Sequence, residues 1–140
     1  MFVLDTDHVT EYQRGKSLAA QRLKQRLDSA TEPYSTTIIT VEENMRGWMA
    51  AIRRMNDPRE QIVGYSRFQR LFNFYATWNV LEWDAASVNE YESLRTAGVR
   101  VGTMDMKIAS IVLANNATLL TRNTNDFNRI PGLNIEDWLS

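Results

Sequence analysis

The sequence predicts an α/β fold, with helices on both faces of a short parallel sheet of four to five strands, a three-layer α/β/α arrangement. Three observations predict it. The chain opens on an uninterrupted apolar run, Phe2-Val3-Leu4, which reads as a strand buried on both faces. Further short strand-like runs follow at Tyr34–Ile39, Val80–Trp83, Thr118–Thr121 and Leu133–Ile135. Between them lie segments with helical periodicity and capping signals, and such alternation implies parallel β-α units with right-handed crossovers.

Taken in order, Val9 to Arg14 suits a short helix ended by Gly15, with Asp7 as its N-cap. Ser17 caps a second helix whose apolar face carries Leu18, Leu23 and Leu27, and Glu32-Pro33 breaks it. After the second strand, Thr40 and Glu43 form a capping box, and Val41, Met45, Trp48, Met49 and Ile52 make an apolar stripe. Asn56-Asp57-Pro58 interrupts, and Pro58 begins a long helix to Tyr75 that is expected to bury Ile62, Tyr65, Phe68, Leu71, Phe72 and Tyr75. These two helices read as a hairpin. Asp84 caps a helix to about Thr96, and Thr103 caps another with Ile108, Ala109, Val112 and Leu113 on its apolar face. Asn123 to Phe127 is a short turn or helix, and Pro131-Gly132 leads into the last strand.

The bulk numbers bound the function. A chain of 140 residues reads as one domain spanning 1–140, able to bury about two-thirds of the surface its unfolded form exposes. With no cysteine there is no disulfide or thiolate site, and a single histidine, His8, argues against an imidazole-built zinc site. Any metal must therefore be hard and oxygen-liganded, such as Mg2+ or Mn2+. The net charge of −1 does not advertise a nucleic-acid binder, yet basic residues cluster from Arg14 to Arg26 and from Arg46 to Arg70, so local basic faces are expected. No apolar stretch approaches the ~20 residues of a membrane span and no signal-peptide pattern follows Met1, so no membrane role and a cytoplasmic location are expected.

Four acids fall where a strand ends or the next helix begins: Asp5, Glu43, Asp105 and Asp126. In a parallel sheet those positions share one edge, where ligands of open α/β folds bind. Gathered carboxylates raise each other's pKa unless a cation neutralises them, and one or two divalent ions there would activate water against a phosphodiester. Taken singly, Glu43, Asp105 and Asp126 are also ordinary first-turn acids. Asp5 is the exception, since nothing at a buried strand's end demands a carboxylate. His8 reads as a solvated or core side chain, or as a contact to a substrate phosphate. Thr121 and Asn123 are placed to bond a metal-bound water or to end the strand and cap the turn. Phe74, Trp78 and Trp48 exceed what a small core needs and point to self-association.

These motifs resemble the PIN-domain nucleases, in particular the VapC-type toxins of type II toxin–antitoxin pairs. Phe-Val-Leu-Asp5-Thr6-Asp7 is similar to that family's apolar strand followed by Asp-Thr-Asn. Ile39-Thr40-Val41-Glu42-Glu43-Asn44-Met45-Arg46-Gly47 resembles its Ile-Thr-x-x-Glu-x-x-x-Gly, which selects Glu43 over Glu42. Gly102-Thr103-Met104-Asp105-Met106-Lys107-Ile108-Ala109 and Thr121-Arg122-Asn123-Thr124-Asn125-Asp126-Phe127, then Pro131-Gly132-Leu133, follow the remaining motifs. The resemblance spans the chain and implies a PIN-like domain that is an Mg2+- or Mn2+-dependent endoribonuclease acting on RNA. It also implies a homodimer and a cognate antitoxin that occupies the acidic groove. Asp5, Glu43, Asp105 and Asp126 would be the metal-binding catalytic acids, with Thr6, Asp7, Thr121 and Asn123 in support. The family's usual asparagine is Asp7 here.

Two other readings share these residues. The opening strand also resembles the first motif of haloacid-dehalogenase-type phosphatases, with Asp5 as nucleophile and Asp7 as general acid, although the later Gly-Asp-x-x-x-Asp of that family is absent. A PIN-like module that binds RNA or protein without cutting is the other.

Overall fold

The computed structural model describes residues 1–140. Five strands, β1 (Phe2–Leu4), β2 (Tyr34–Thr37), β3 (Val80–Leu81), β4 (Thr118–Leu120) and β5 (Asn134–Glu136), form one parallel sheet in the order β3-β2-β1-β4-β5. Seven helices connect them: α1 (Thr6–Arg14), α2 (Leu18–Ser29), α3 (Ile38–Arg53), α4 (Pro58–Ala76), α5 (Ala85–Thr96), α6 (Thr103–Ala114) and α7 (Thr124–Phe127). No helix is long and apolar enough to cross a membrane.

The central strand makes the three layers. Val3 pairs with Leu119 and Leu4 with Leu120, and successive side chains of a strand face opposite ways. Val3 and Leu119 therefore join Ile108, Ile111, Val112 and Phe127 in one core, under α5 and α6. Leu4 and Leu120 join Val9, Leu23, Leu27, Leu71 and Tyr75 in the other, under α1, α2 and α4. Because β1 and β4 are neighbours and parallel, Asp5 and Thr121 leave the sheet side by side.

Several element boundaries move, each for a local reason. The second strand stops at Thr37 rather than Ile39, because Thr37 is the last residue to pair with β3, opposite Leu81. Thr37, not Thr40, is then the N-cap: its hydroxyl accepts the Thr40 amide at 3.1 Å, and no Thr40–Glu43 capping box forms. Helix α1 begins at Thr6 rather than Val9, with Asp5 in the N-cap position instead of Asp7. Gly102 precedes α6, so Thr103 is its first helical residue rather than its cap. Ser17 and Asp84 cap as expected, and Asp57 caps α4 as well, each accepting an amide hydrogen bond from the first turn.

The expected burial along α4 is also revised. Leu71 and Tyr75 are buried, but Ile62, Tyr65 and Phe72 are exposed, as is Leu18 on α2. Phe74 and Trp78 pack with Tyr12 and Tyr34 in an aromatic cluster within the chain and stay partly exposed.

Candidate active site

The acids are joined by an unbroken hydrogen-bond chain across the carboxyl edge of the sheet. β1 and β4 stay laced up to that edge, where the Asp5 amide donates to the Leu120 carbonyl at 3.0 Å. The Asp5 carboxylate accepts the Thr6 amide at 2.8 Å on one oxygen and the Thr121 hydroxyl at 2.8 Å on the other. Thr6 reaches the opposite way as well, its hydroxyl donating to Glu43 at 3.1 Å. The Thr121 hydroxyl accepts the Asn123 amide N–H at 3.0 Å. From there the Asn123 side-chain amide donates to Asp105 at 3.3 Å and to Asp126 at 3.2 Å. All four predicted acids and three of the predicted supporting residues, Thr6, Thr121 and Asn123, thus lie in one network.

Asp5 is therefore both an N-cap and a network member, so a strand end followed at once by a helix does use a carboxylate there. Asn123 does the reverse: it stands at the N-cap of α7 but makes no side-chain cap bond, because its amide is held by Asp105 and Asp126. Glu42 pairs with Arg46 at 2.6 Å, which leaves Glu43 as the member of the pair turned to the strand edge.

The electrostatics follow from burial and like charge. Asp5, 7% exposed, has its pKa pushed up to about 7 by burial and then by neighbouring Asp7. Burial followed by Asp105 raises Glu43, and burial followed by Asp126 and Asp7 raises Asp105. None of the four forms an ion pair with a lysine or arginine. As the carboxylates stand, no three of them meet around one point closely enough to share an ion. The donor set nevertheless fits a hard divalent cation in its chemistry: oxygen ligands alone, and like charge that no basic residue offsets.

Asp7 and His8 make an arrangement that residue pattern did not foretell. His8 is wholly buried, and its Nε2 accepts the Trp138 amide N–H at 3.1 Å, which leaves Nδ1 to donate to Asp7 at 2.6 Å. The other Asp7 oxygen accepts the Arg122 amide at 2.9 Å. Asp7 thus ties α1, the end of β4 and the C-terminal segment together beside Asp5. Trp138-Leu139, an apolar pair at the chain end, was the available signal, since both are buried.

No family model matches the chain. Ribonuclease VapC2 of Rickettsia felis is 38% identical over 69 residues, 46% of this chain and 52% of that protein. The chain thus spans about half the length of that relative. The plasmid stability protein StbB of Pseudomonas syringae pv. tomato is 33% identical over 142 residues, 96% of each chain. Among solved structures, VapBC2 from Rickettsia felis bound to a DNA fragment from their promoter has the same fold, with a TM-score of 0.75, 23% identity and 98% of both chains covered. The five-stranded parallel sheet, the order of the motifs and a full-length relative one-third identical lead to one assignment: the chain belongs to the VapC-type PIN-domain family.

Proposed function

We propose that the protein is an endoribonuclease dependent on Mg2+ or Mn2+, the toxin of a type II toxin–antitoxin pair, held in check by a cognate antitoxin. The observation that carries this reading is the chain of hydrogen bonds gathering Asp5, Glu43, Asp105 and Asp126 at one edge of the sheet without a basic partner. The identity to a VapC ribonuclease supports it over a phosphatase.

In this reading the four carboxylates would supply the ligands for one or two divalent ions. A bound divalent ion supplies charge neutralisation at the scissile phosphate and a water acidic enough to act near neutral pH. The protein's own residues do the placing. Thr121 fixes the rotamer of Asp5, Thr6 bridges Asp5 and Glu43, and Asn123 sets the spacing of Asp105 and Asp126. Asp7 braces the site from behind through His8 and the Arg122 amide.

The test is cleavage of RNA with Mg2+ or Mn2+ by wild type, Asp5→Asn and Asp105→Asn. Each substitution is expected to lower the rate on the order of a hundredfold or more, the several kcal/mol that metal-assisted charge stabilisation supplies. Undiminished cleavage by both variants sinks the reading. Expression of the chain alone should arrest growth, and co-expression with its antitoxin should relieve that arrest.

A further inference from the structure

His8 is the chain's one histidine, and it lies wholly buried in the first turn of α1, just past Asp5. A buried imidazole needs a partner at each ring nitrogen, and this one has both. Its Nδ1 lies 2.6 Å from an Asp7 oxygen, and its Nε2 lies 3.1 Å from the Trp138 amide nitrogen. A backbone amide can only donate, so Nε2 accepts and the proton of the neutral ring sits on Nδ1. The segment that supplies this amide is well seated. The Trp138 ring is buried, with its centroid 4.6 Å from that of Phe2 and 4.1 Å from the Arg26 guanidinium. Asp137 accepts the Leu139 amide at 2.9 Å.

The carboxylate at position 7 follows from that tautomer. Two donors converge on Asp7, the His8 Nδ1–H on one oxygen and the Arg122 amide on the other at 2.9 Å. A carboxylate accepts at both oxygens, whereas an asparagine has one acceptor oxygen and must turn its amide nitrogen to one of the two. Turned to His8, that amide would drive the ring proton to Nε2 and set it against the Trp138 N–H, donor against donor. The charge has a cost: behind burial, Asp7 helps to raise Asp5, and behind burial and Asp126 it helps to raise Asp105. Capping does not require it, because Asp5 already caps α1. What the second oxygen gains is the Arg122 amide. Arg122 stands between Thr121, which bonds Asp5, and Asn123, which bonds Asp105 and Asp126.

We propose that His8 is a positioning residue of the acid site. Anchored on the Trp138 amide, it aims Asp7 at the Arg122 amide and so fixes the turn from which Thr121 and Asn123 hold the acids. The segment 137–139 is then a working part of the site, although none of its side chains joins the acid network. Within the ribonuclease reading, on which this rests, His8 touches neither metal nor RNA and acts only through Asp7. It sets the spacing of the acids, not what they bind.

The test compares wild type with His8→Gln, His8→Asn and Leu27→Ala, the last a truncation elsewhere in the same core. An asparagine amide stands where Nδ1 stood and still donates to Asp7, whereas a glutamine oxygen stands where Nε2 stood and serves only the Trp138 amide. His8→Gln should bind Mn2+ about tenfold more weakly by calorimetry, the usual cost of losing an outer partner of a metal site. Its kcat on total cellular RNA with Mn2+ should fall on the order of tenfold with KM unchanged, since a wholly buried ring meets no RNA. In the metal-free protein its Arg122 amide proton should move upfield in NMR as the bond to Asp7 loosens. His8→Asn should stay close to wild type in all three readings, and Leu27→Ala should lose stability in urea without losing Mn2+ affinity or kcat. Losses that track stability across the three variants make His8 an ordinary core histidine and overturn the proposal, as does an unaffected His8→Gln. One reading needs no variant to fold: the imidazole 15N spectrum of the lone histidine should show the Nδ1–H tautomer, and the Nε2–H tautomer overturns the arrangement. A wild type that cuts no RNA but binds Mn2+ with this order among the variants leaves the proposal standing and fails the ribonuclease reading. RNA cleavage that His8→Gln and His8→Asn leave unchanged does the opposite.

Discussion

The two faces of the sheet are built to different ends. On one side α6 buries Met106, Ile108, Ala109, Ile111 and Val112 in succession, and even its buried Ser110 bonds back to the Met106 carbonyl at 2.7 Å. On the other side the α3–α4 hairpin anchors itself with a few residues, chiefly Ile52, Leu71 and Tyr75, and leaves Met49, Ile62, Val63, Tyr65 and Phe72 exposed. Gly64 allows the close approach of its two helices. The first face keeps the sheet edge in place. The second holds Glu43. Both faces carry a buried core, and the second differs in the apolar surface its hairpin leaves uncovered.

The sharpest way to break this division is to cut into the first face. Phe127 is fully buried and follows Asp126 directly, so Phe127→Ala should destabilise the protein by about 3–5 kcal/mol in urea unfolding. A loss near zero would mean that the α5–α6 side does not anchor the edge.

The next effect arises at the boundary between the faces. Asp5 has a folded-state pKa near 7 against 3.8 for the ordinary group, so the folded protein keeps a proton that the unfolded chain has released. Stability of the metal-free protein should therefore fall as pH rises from about 4 to about 7 and level off above, by a few kcal/mol at most. Melting in EDTA across that range checks it, and Asp5→Asn should flatten the slope. An unchanged slope in that variant would assign the effect to another group.

The smallest effect is expected on the hairpin. Ile62 is 68% exposed, so Ile62→Ser should shift stability within about 0.5 kcal/mol. A cost of several kcal/mol would show the hairpin to be as much scaffold as α6 is.

Much of the site could be read from residue type and position. Asp5, Glu43, Asp105 and Asp126 each stand at a strand end or in the helix that follows, and a parallel sheet brings such positions to one edge whatever their separation in sequence. The supporting Thr121 and Asn123 were legible for the same reason, and Thr6 through the family resemblance. Which residue caps which helix was not, because Asp5 against Asp7 and Thr37 against Thr40 are choices between equally good capping types. Pairing of β1 with β4 and of β2 with β3 settles them, by fixing the last residue that still bonds across the sheet.

The strand–helix alternation, the parallel sheet and the four acids were already written in the order of residues, because they depend on side-chain periodicity and on topology that is nearly forced by it. How the acids are wired came from packing. The Asp7–His8–Trp138 bonds span 130 residues of chain, and Asn123 turns from its helix end to two carboxylates brought near by separate strands and helices. Packing also divided the hairpin's aromatic and aliphatic residues between core and surface, since a 3.6-residue period marks a face but not what lies opposite it.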